Sequence, residues 1–335
     1  MPNLIRIPLI SHLEVSNDRA KEAKDFLKSA GNLNKDYLPI KKANSILWPL
    51  NNVPDNFEGK IVKCKGLRNK NKTRDYRSIL SEKIKSIAPR SFDIFGNIAI
   101  IRLKEDSMLY GREIAKALLL SHKNIETVCI DLGVQGEYRL RNLVNIGGKN
   151  NFISIHKENG LIFEADISRV YFSPRLATER QRISSLVKGR EIVLDAFAGV
   201  APFSISLAKK GCEVLALDSN PDAKKWALRN FRNNNISSEK YVYHSCKFEE
   251  FDFKSKKFDR IIVNSPTNSL QYLDRVLNLV AKRGLVHFYI ISSKDGSFCI
   301  DDFISSQFEC TSIREVHPYS PSTSLFAFDV RRNLT

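Results

Sequence analysis

The chain has 335 residues, 42% of them hydrophobic, which suits two or three domains with real cores and argues against global disorder. Lysine plus arginine number 53 against 37 acids, a formal charge of +16 that favours polyanionic partners, nucleic acid first. No apolar run approaches the roughly 20 residues of a membrane span, MPNLIRIPLI lacks a signal-peptide pattern, and six scattered cysteines without a CxxC pair argue against a zinc site and for reduced thiols, so a soluble cytoplasmic protein is expected.

Residues 1–58 read as a small α/β unit. LIRIPLI suggests a strand, NDRAKEAKDFLKSA an amphipathic helix stopped by Gly31, and YLPIKKANSILWPL two short strands. A basic stretch follows: residues 59–90 hold eleven lysines and arginines and two acids. Its first part, KCKGLRNKNKTR, reads as a solvated linker, placed at residues 59–84. Residues 85–164 read as a middle α/β domain. FDIFGNIAIIRL suggests a strand pair around Gly96, YGREIAKALLLS a helix, ETVCIDLG and GEYRLRNLVNIGG two strands, and FISIHKENGLIFEADIS a hairpin turning at Asn159-Gly160.

Residues 165–335 alternate strand and helix. The most informative run is EIVLDAFAGVAPFSISLAKKGCEVLALD, from Glu191 to Asp218. An apolar strand ends at Asp195; a loop of small residues (Ala198, Gly199, Val200, Ala201) leads into a helix; a second strand ends at Asp218, followed by Asn220-Pro221. This is the opening βαβ unit of a nucleotide-cofactor fold, in which small residues let a ligand approach the backbone and the strand-end acid accepts from ribose hydroxyls. The loop carries Asp195 and lacks a full GxGxxG, which favours a sulfonium cofactor without phosphates, S-adenosyl-L-methionine (AdoMet). Further strands are read at YVYH, FDRIIVN and GLVHFYII, and a closing hairpin at TSIREVHPY and SLFAFDVRR.

Three more groups carry chemistry. Asn264-Ser265-Pro266 ends the fourth strand, where ligands of open α/β sheets sit, and offers an amide to a planar base. In YFSPRLATERQR, Arg175 and Glu179 fall at i and i+4, which allows a surface salt bridge or a general base, Glu179, beside phosphate-binding Arg175, Arg180 and Arg182. Arg139 and Arg141 alternate in GEYRLRNL and are expected on one strand face, free to meet RNA phosphate or a base oxygen. The six histidines show no metal spacing.

The ordered motifs YFSPRLATERQRI, VLDAFAGVAPFSI, LDSNPDA and NSPTNSLQYLD resemble archaeal and eukaryotic tRNA (guanine-N1)-methyltransferases, which methylate guanine 37 beside the anticodon with AdoMet. FDIFGNIAII, YGREIAKALL, HKNIETV and GEYRLR resemble the family's middle domain. The resemblance implies a Rossmann-like class I methyltransferase domain preceded by two small α/β RNA-binding domains, the first touching the tRNA outer corner and the others the anticodon stem-loop, in a monomer. It implies Glu179 as general base, Arg139 near guanine O6, and Asn264 and Pro266 holding the base. It implies cofactor contacts at Asp195, Ala198, Gly199 and Asp218 and a cofactor-side or substrate-side Tyr171; Val200 and Asn220 are read beside them as cofactor contacts, and Arg175, Arg180 and Arg141 as substrate contacts.

Three positions depart from the family pattern. Ala201 replaces the second glycine of GVGPF, Ser265 stands where leucine is usual, and His244-Ser245-Cys246 replaces a third-strand Gly-Asp. The rival readings are a wyosine-pathway paralogue transferring methyl or aminocarboxypropyl at the same position, an amino-group methylase related through NSPT, and a non-catalytic tRNA-binding relative.

Overall fold

Residues 9–54, 56–68 and 75–333 are described in a computed structural model, and the chain divides after Tyr76 into two units. In the first, β1 (Leu9–Ser16) is followed by α1 (Ala20–Ser29), β2 (Tyr37–Leu38), β3 (Ile40–Lys41), β4 (Ser45–Pro49), β5 (Lys60–Lys65) and β6 (Leu67–Arg68). The sheet runs β3-β4-β1-β5, and Ala23 and Leu27 of α1 pack on Leu13, Val15, Trp48 and Leu50. Leu9 and Ile10 of LIRIPLI lie in β1, and its residues 4–8 lie outside the described residues. One expectation needs correction. The stretch read as a linker from residue 59 contributes β5, which pairs antiparallel with β1 from Leu9↔Lys65 to Glu14↔Lys60. Lys60, Lys63 and Lys65 line this edge strand, and lysine on an edge discourages pairing with another chain, so the charge of the segment masked the strand. The rest of that basic run, residues 69–74, lies outside the described residues.

The second unit opens with a 3₁₀ turn (Tyr76–Ile79) and α2 (Glu82–Ile87). A four-stranded sheet follows from β7 (Asp93–Phe95), β8 (Ile98–Ile101), β9 (Thr127–Gln135) and β10 (Leu140–Gly148), with α3 (Glu105–Met108) and α4 (Gly111–Ser121) crossing between parallel β8 and β9. The β7–β8 turn at Gly96 follows the sequence reading. The hairpin of β11 (Ile153–Glu158) and β12 (Leu161–Asp166) turns at Asn159-Gly160, both at positive φ, 49° and 76°, as a two-residue turn of this type requires.

The last domain contains α5 (Ala177–Leu186), β13 (Ile192–Asp195), α6 (Pro202–Ala208), β14 (Glu213–Asp218), α7 (Pro221–Asn233), β15 (Tyr241–Ser245), β16 (Phe258–Val263), α8 (Leu273–Leu279), β17 (Val280–Ser293), β18 (Phe308–Pro318) and β19 (Thr323–Arg332). Its sheet order is β15-β14-β13-β16-β17-β19-β18; the first five strands are parallel and β19 runs against β17. Alternate residues feed two cores. Val193, Val214, Ala216 and Ile262 face the cluster with α6 and α7, while Leu194, Leu215, Leu217 and Ile261 face the cluster with α8. This is the Rossmann-like α/β fold expected from the sequence. The free edge of β12 is closed by two asparagines one turn apart on α7: Asn230 and Asn234 accept from the N–H groups of Glu164 and Ile162 and donate to their carbonyls. Side-chain amides thus stand in for a neighbouring strand and tie the hairpin to the helices packed on the seven-stranded sheet.

Candidate active site

The cleft lies at the C-terminal ends of β13, β14 and β16, the place where such sheets bind ligands. Its floor is the β13–α6 loop. Gly199 takes φ 52° and Ala201 φ 68°, so both occupy the left-handed region. A side chain built on Gly199 would meet only the Tyr171 carbonyl, at 3.6 Å, so the space above the loop is open. Ala201 keeps the conformation that glycine would adopt, and its methyl is fully buried in the core beneath α6. The strain of left-handed alanine is therefore offset by burial of that methyl.

Asp218 closes the floor. Its Oδ2 accepts from Gly199 N–H at 2.7 Å and its Oδ1 from Asn220 N–H at 2.9 Å. Burial pushes its carboxyl above the usual range, opposed by those two N–H groups. Behind it, Asp195 is 1% exposed; Ser204 donates to Oδ2 at 2.6 Å, while Oδ1 is buried without a hydrogen-bond partner. Burial pushes the Asp195 carboxyl up to about 7, with Ser204 opposing and the Asp218 charge adding to the rise. Tyr243, on β15, donates to the Gly199 carbonyl at 2.8 Å and so fixes the loop from below. No sequence feature singled out Tyr243; only the β14–β15 pairing brings it under the loop.

The opposite wall comes from the β9–β10 turn and the end of β16. Glu137, Tyr138 and Arg139 line the cleft together with Asn264, Ser265 and Pro266. Arg139 donates through Nη1 to Thr267 Oγ1 at 2.6 Å, and Glu137 pairs with Lys247 at 2.8 Å. Lys247 follows the Ser245-Cys246 end of the third strand of this domain, where the family's usual acid is absent. Asp218 and Glu137 are consequently the carboxylates lining the cleft.

The proposed residues divide by position. Tyr171, Ala198, Gly199 and Asp218 line the cleft, and so do Arg139, Asn264 and Pro266. Asp195 and Val200 lie behind the loop instead of on the cleft surface. Asn220 caps α7: its Oδ1 accepts from Asp222 N–H and its Nδ2 donates to the Arg169 carbonyl. Arg139 and Arg141 do not share a strand face. Arg139 sits in the turn at φ 52°, one residue before β10, and Arg141 is buried between Asp93 and Asp131. Arg180 lines the cleft but is held by a bidentate pair with Glu158 and by the Phe172 ring, so it supports the wall and is not available to RNA. Arg175 pairs with Asp93, not with Glu179, and keeps 46% of its side chain exposed.

Glu179 is 3% exposed and does not line the cleft. Leu176 and Arg180, its neighbours on the same helical turn, do. Its carboxylate faces Arg182, with Nη2 at 2.6 Å, and the Tyr289 hydroxyl at 3.0 Å.

Comparison with known proteins agrees with this geometry. A TRM5/TYW2 methyltransferase domain matches residues 154–305, and a TYW2 N-terminal domain matches residues 76–151. The chain is 30% identical over 341 residues to the tRNA (guanine(37)-N(1))-methyltransferase Trm5b of Methanocaldococcus jannaschii, spanning 96% of this chain and 98% of that protein. The chain belongs to the Trm5 methyltransferase family. Trm5b of Pyrococcus abyssi is 36% identical over 262 residues, 77% of each chain. A structure of aTrm5 in complex with tRNALeu superposes with a TM-score of 0.71 at 28% identity, covering 97% of this chain and all of that one (100%).

Trm5 proteins are AdoMet-dependent tRNA methyltransferases, and the residues here fit that cofactor. The open space over Gly199, the strand-end carboxylate of Asp218 and the small side chain of Ala198 accommodate an adenosyl group without phosphate-binding cations. Among the described residues no helix is long and apolar enough to cross a membrane.

Proposed function

We propose that this protein methylates N1 of guanine 37 in tRNA, using AdoMet. The observation that carries the reading is that Arg139, Asn264 and Pro266 face the same cleft as Tyr171, Gly199 and Asp218. A base held by the first group lies beside a cofactor held by the second. Bound AdoMet supplies an electrophilic methyl group and leaves as a neutral thioether. Asp218 accepts from ribose hydroxyls through lone pairs not used by the Gly199 and Asn220 N–H groups. Asn264 offers both an amide donor and an acceptor to the base edge, and Pro266 stiffens the segment that carries it. Guanine 37 leaves its stack to enter the cleft.

Guanine N1 carries a proton at neutral pH and is a poor nucleophile. Glu179 takes that proton on its carboxylate after turning from Arg182 toward the cleft, the side on which Leu176 and Arg180 already lie. Negative charge then grows on O6, where the Arg139 guanidinium donates. The fixed Thr267 contact holds this guanidinium at the turn. The formal charge of +16 supplies the salt-sensitive part of tRNA affinity, with the first unit meeting the outer corner and the second the anticodon stem-loop. The protein is read as a cytoplasmic monomer.

Asn264→Ala is expected to lose transfer by roughly tenfold or more while AdoMet affinity, measured by calorimetry, stays unchanged. Loss of AdoMet binding with transfer unaffected at saturating cofactor would place Asn264 on the wrong side of the cleft. Absence of any AdoMet binding by the wild type would favour the non-catalytic relative.

A further inference from the structure

Behind the cleft, seven side chains form one continuous network, buried except at its half-buried members Glu191 and Arg182. Glu191 accepts both arms of Arg260, at 2.7 and 3.0 Å. Arg260 Nη1 contacts His287 Nε2 at 2.6 Å, and His287 Nδ1 contacts Asp329 Oδ1 at 2.6 Å. Arg182 reaches both oxygens of Asp329, at 2.6 and 3.0 Å, and both oxygens of Glu179, to which Tyr289 also donates. A guanidinium only donates, so His287 Nε2 must be the accepting nitrogen and Nδ1–H the donor. His287 is therefore neutral, in keeping with burial, which holds its pKa below the ordinary histidine value.

The formal charges do not balance. Three carboxylates (Glu191, Asp329, Glu179) face two guanidiniums (Arg260, Arg182), with His287 and Tyr289 neutral. The surplus is one negative charge. Arg182 is shared between Glu179 and Asp329. When Glu179 turns away, Arg182 remains paired with Asp329, and Glu191, Arg260, Asp329 and Arg182 together are formally neutral. Departure of Glu179 thus strands no buried cation, the outcome that makes breaking a buried pair costly.

We propose that Asp329, acting through Arg182, is a positioning residue that frees Glu179 to serve as the base, with the Tyr289 hydroxyl as its second holder. This rests on the reading of Glu179 as the base. Charged and titratable groups linked to Glu179 come from α5 (Arg182), β17 (the neutral His287), β19 (Asp329) and, further along, Arg260 and Glu191. Helix α6, packed on α5, carries no charged residue, and Arg180 points to Glu158.

Single-turnover transfer is measured across pH for wild type, E179Q, D329N and Y289F, with AdoMet and tRNA affinities recorded alongside. E179Q is expected to lose about 100-fold or more. In D329N the whole Arg182 charge falls to Glu179, so transfer slows by roughly tenfold and the acid limb of the rate profile moves to lower pH. In Y289F the carboxylate loses a donor, and the limb moves to higher pH. AdoMet affinity stays within about threefold in both. Limbs that coincide with wild type in both variants, with E179Q inactive, overturn the role of Asp329 and Tyr289. E179Q near wild type overturns the base reading itself. Should D329N fail to fold, D329S takes its place with the same expected shift of the limb to lower pH, and a limb at the wild-type position overturns the role of Asp329.

Discussion

Asp218→Asn separates the two things that Asp218 does. In the wild type each carboxylate oxygen accepts one backbone N–H, at 2.7 Å from Gly199 and 2.9 Å from Asn220. An amide has one accepting oxygen, so one of those N–H groups would face an NH2 and lose its partner, a cost of about 1–3 kcal/mol. The same substitution removes a carboxylate whose ionised form is disfavoured by burial and which faces Asp195 across the loop. That relief opposes the lost hydrogen bond, so stability without cofactor at pH 8 is expected to change by less than about 2 kcal/mol. Cofactor affinity has no such compensation. Two charge-assisted bonds to a ribose diol, about 1.5–3 kcal/mol each, fall to at most one neutral bond of about 1 kcal/mol. The net loss of about 2–5 kcal/mol corresponds to roughly 30- to 4000-fold in Kd. Calorimetric titration with AdoMet, paired with urea denaturation, measures both numbers. A D218N protein that binds AdoMet within about threefold of wild type would refute the assignment of Asp218 to the ribose.

Other outcomes follow from the same geometry. Asp195 has its carboxyl raised to about 7, so ionisation of this group in the unfolded chain but not the folded one erodes stability as pH rises from about 4 to 7. The stability difference between D195N and wild type should therefore shift in favour of D195N over that window, measured by denaturation at successive pH values; a pH-independent difference would contradict the raised value. Ala201→Gly relieves about 1–2 kcal/mol of left-handed strain but gives up about 0.8 kcal/mol of methyl burial and about 0.4–1 kcal/mol through the freer unfolded chain. Its midpoint in urea should stay close to wild type, and a change beyond about 2 kcal/mol in either direction would show that one of these terms is misjudged. Raising salt from about 50 to 200 mM should weaken tRNA binding by roughly tenfold or more; a flat response would argue against basic surface as the tRNA footprint.

The methyltransferase half was largely legible because its signals are local. The Glu191–Asp218 run shows its small loop, strand-end acid and two-sided alternation directly, and Asn159-Gly160 announces its hairpin. What escaped depends on contacts distant in sequence or on backbone geometry. Arg139 and Arg141 are two residues apart, yet a positive φ at Arg139 puts it in the turn while Arg141 enters the sheet and is buried. The i,i+4 spacing allowed Glu179 a surface salt bridge with Arg175 as the alternative to a role as base. Glu179 instead pairs with Arg182, because Asp93 on a different sheet takes Arg175 and β17 and β19 present Tyr289 and Asp329. Asn220 looked like a cofactor contact because it follows Asp218, but an asparagine before Pro221 at a helix start is equally a cap, and the structure gives it that role. The charge of the β5 segment, with Lys60, Lys63 and Lys65, concealed a strand.

Nucleoside mass spectrometry of a tRNA transcript treated with the pure protein and AdoMet tests the central reading most directly. N1-methylguanosine formed in proportion to a transcript bearing G37, and absent when that base is A, is the expected result. Methylation at an exocyclic amine, an aminocarboxypropyl product, or equal transfer to the A37 transcript would contradict it.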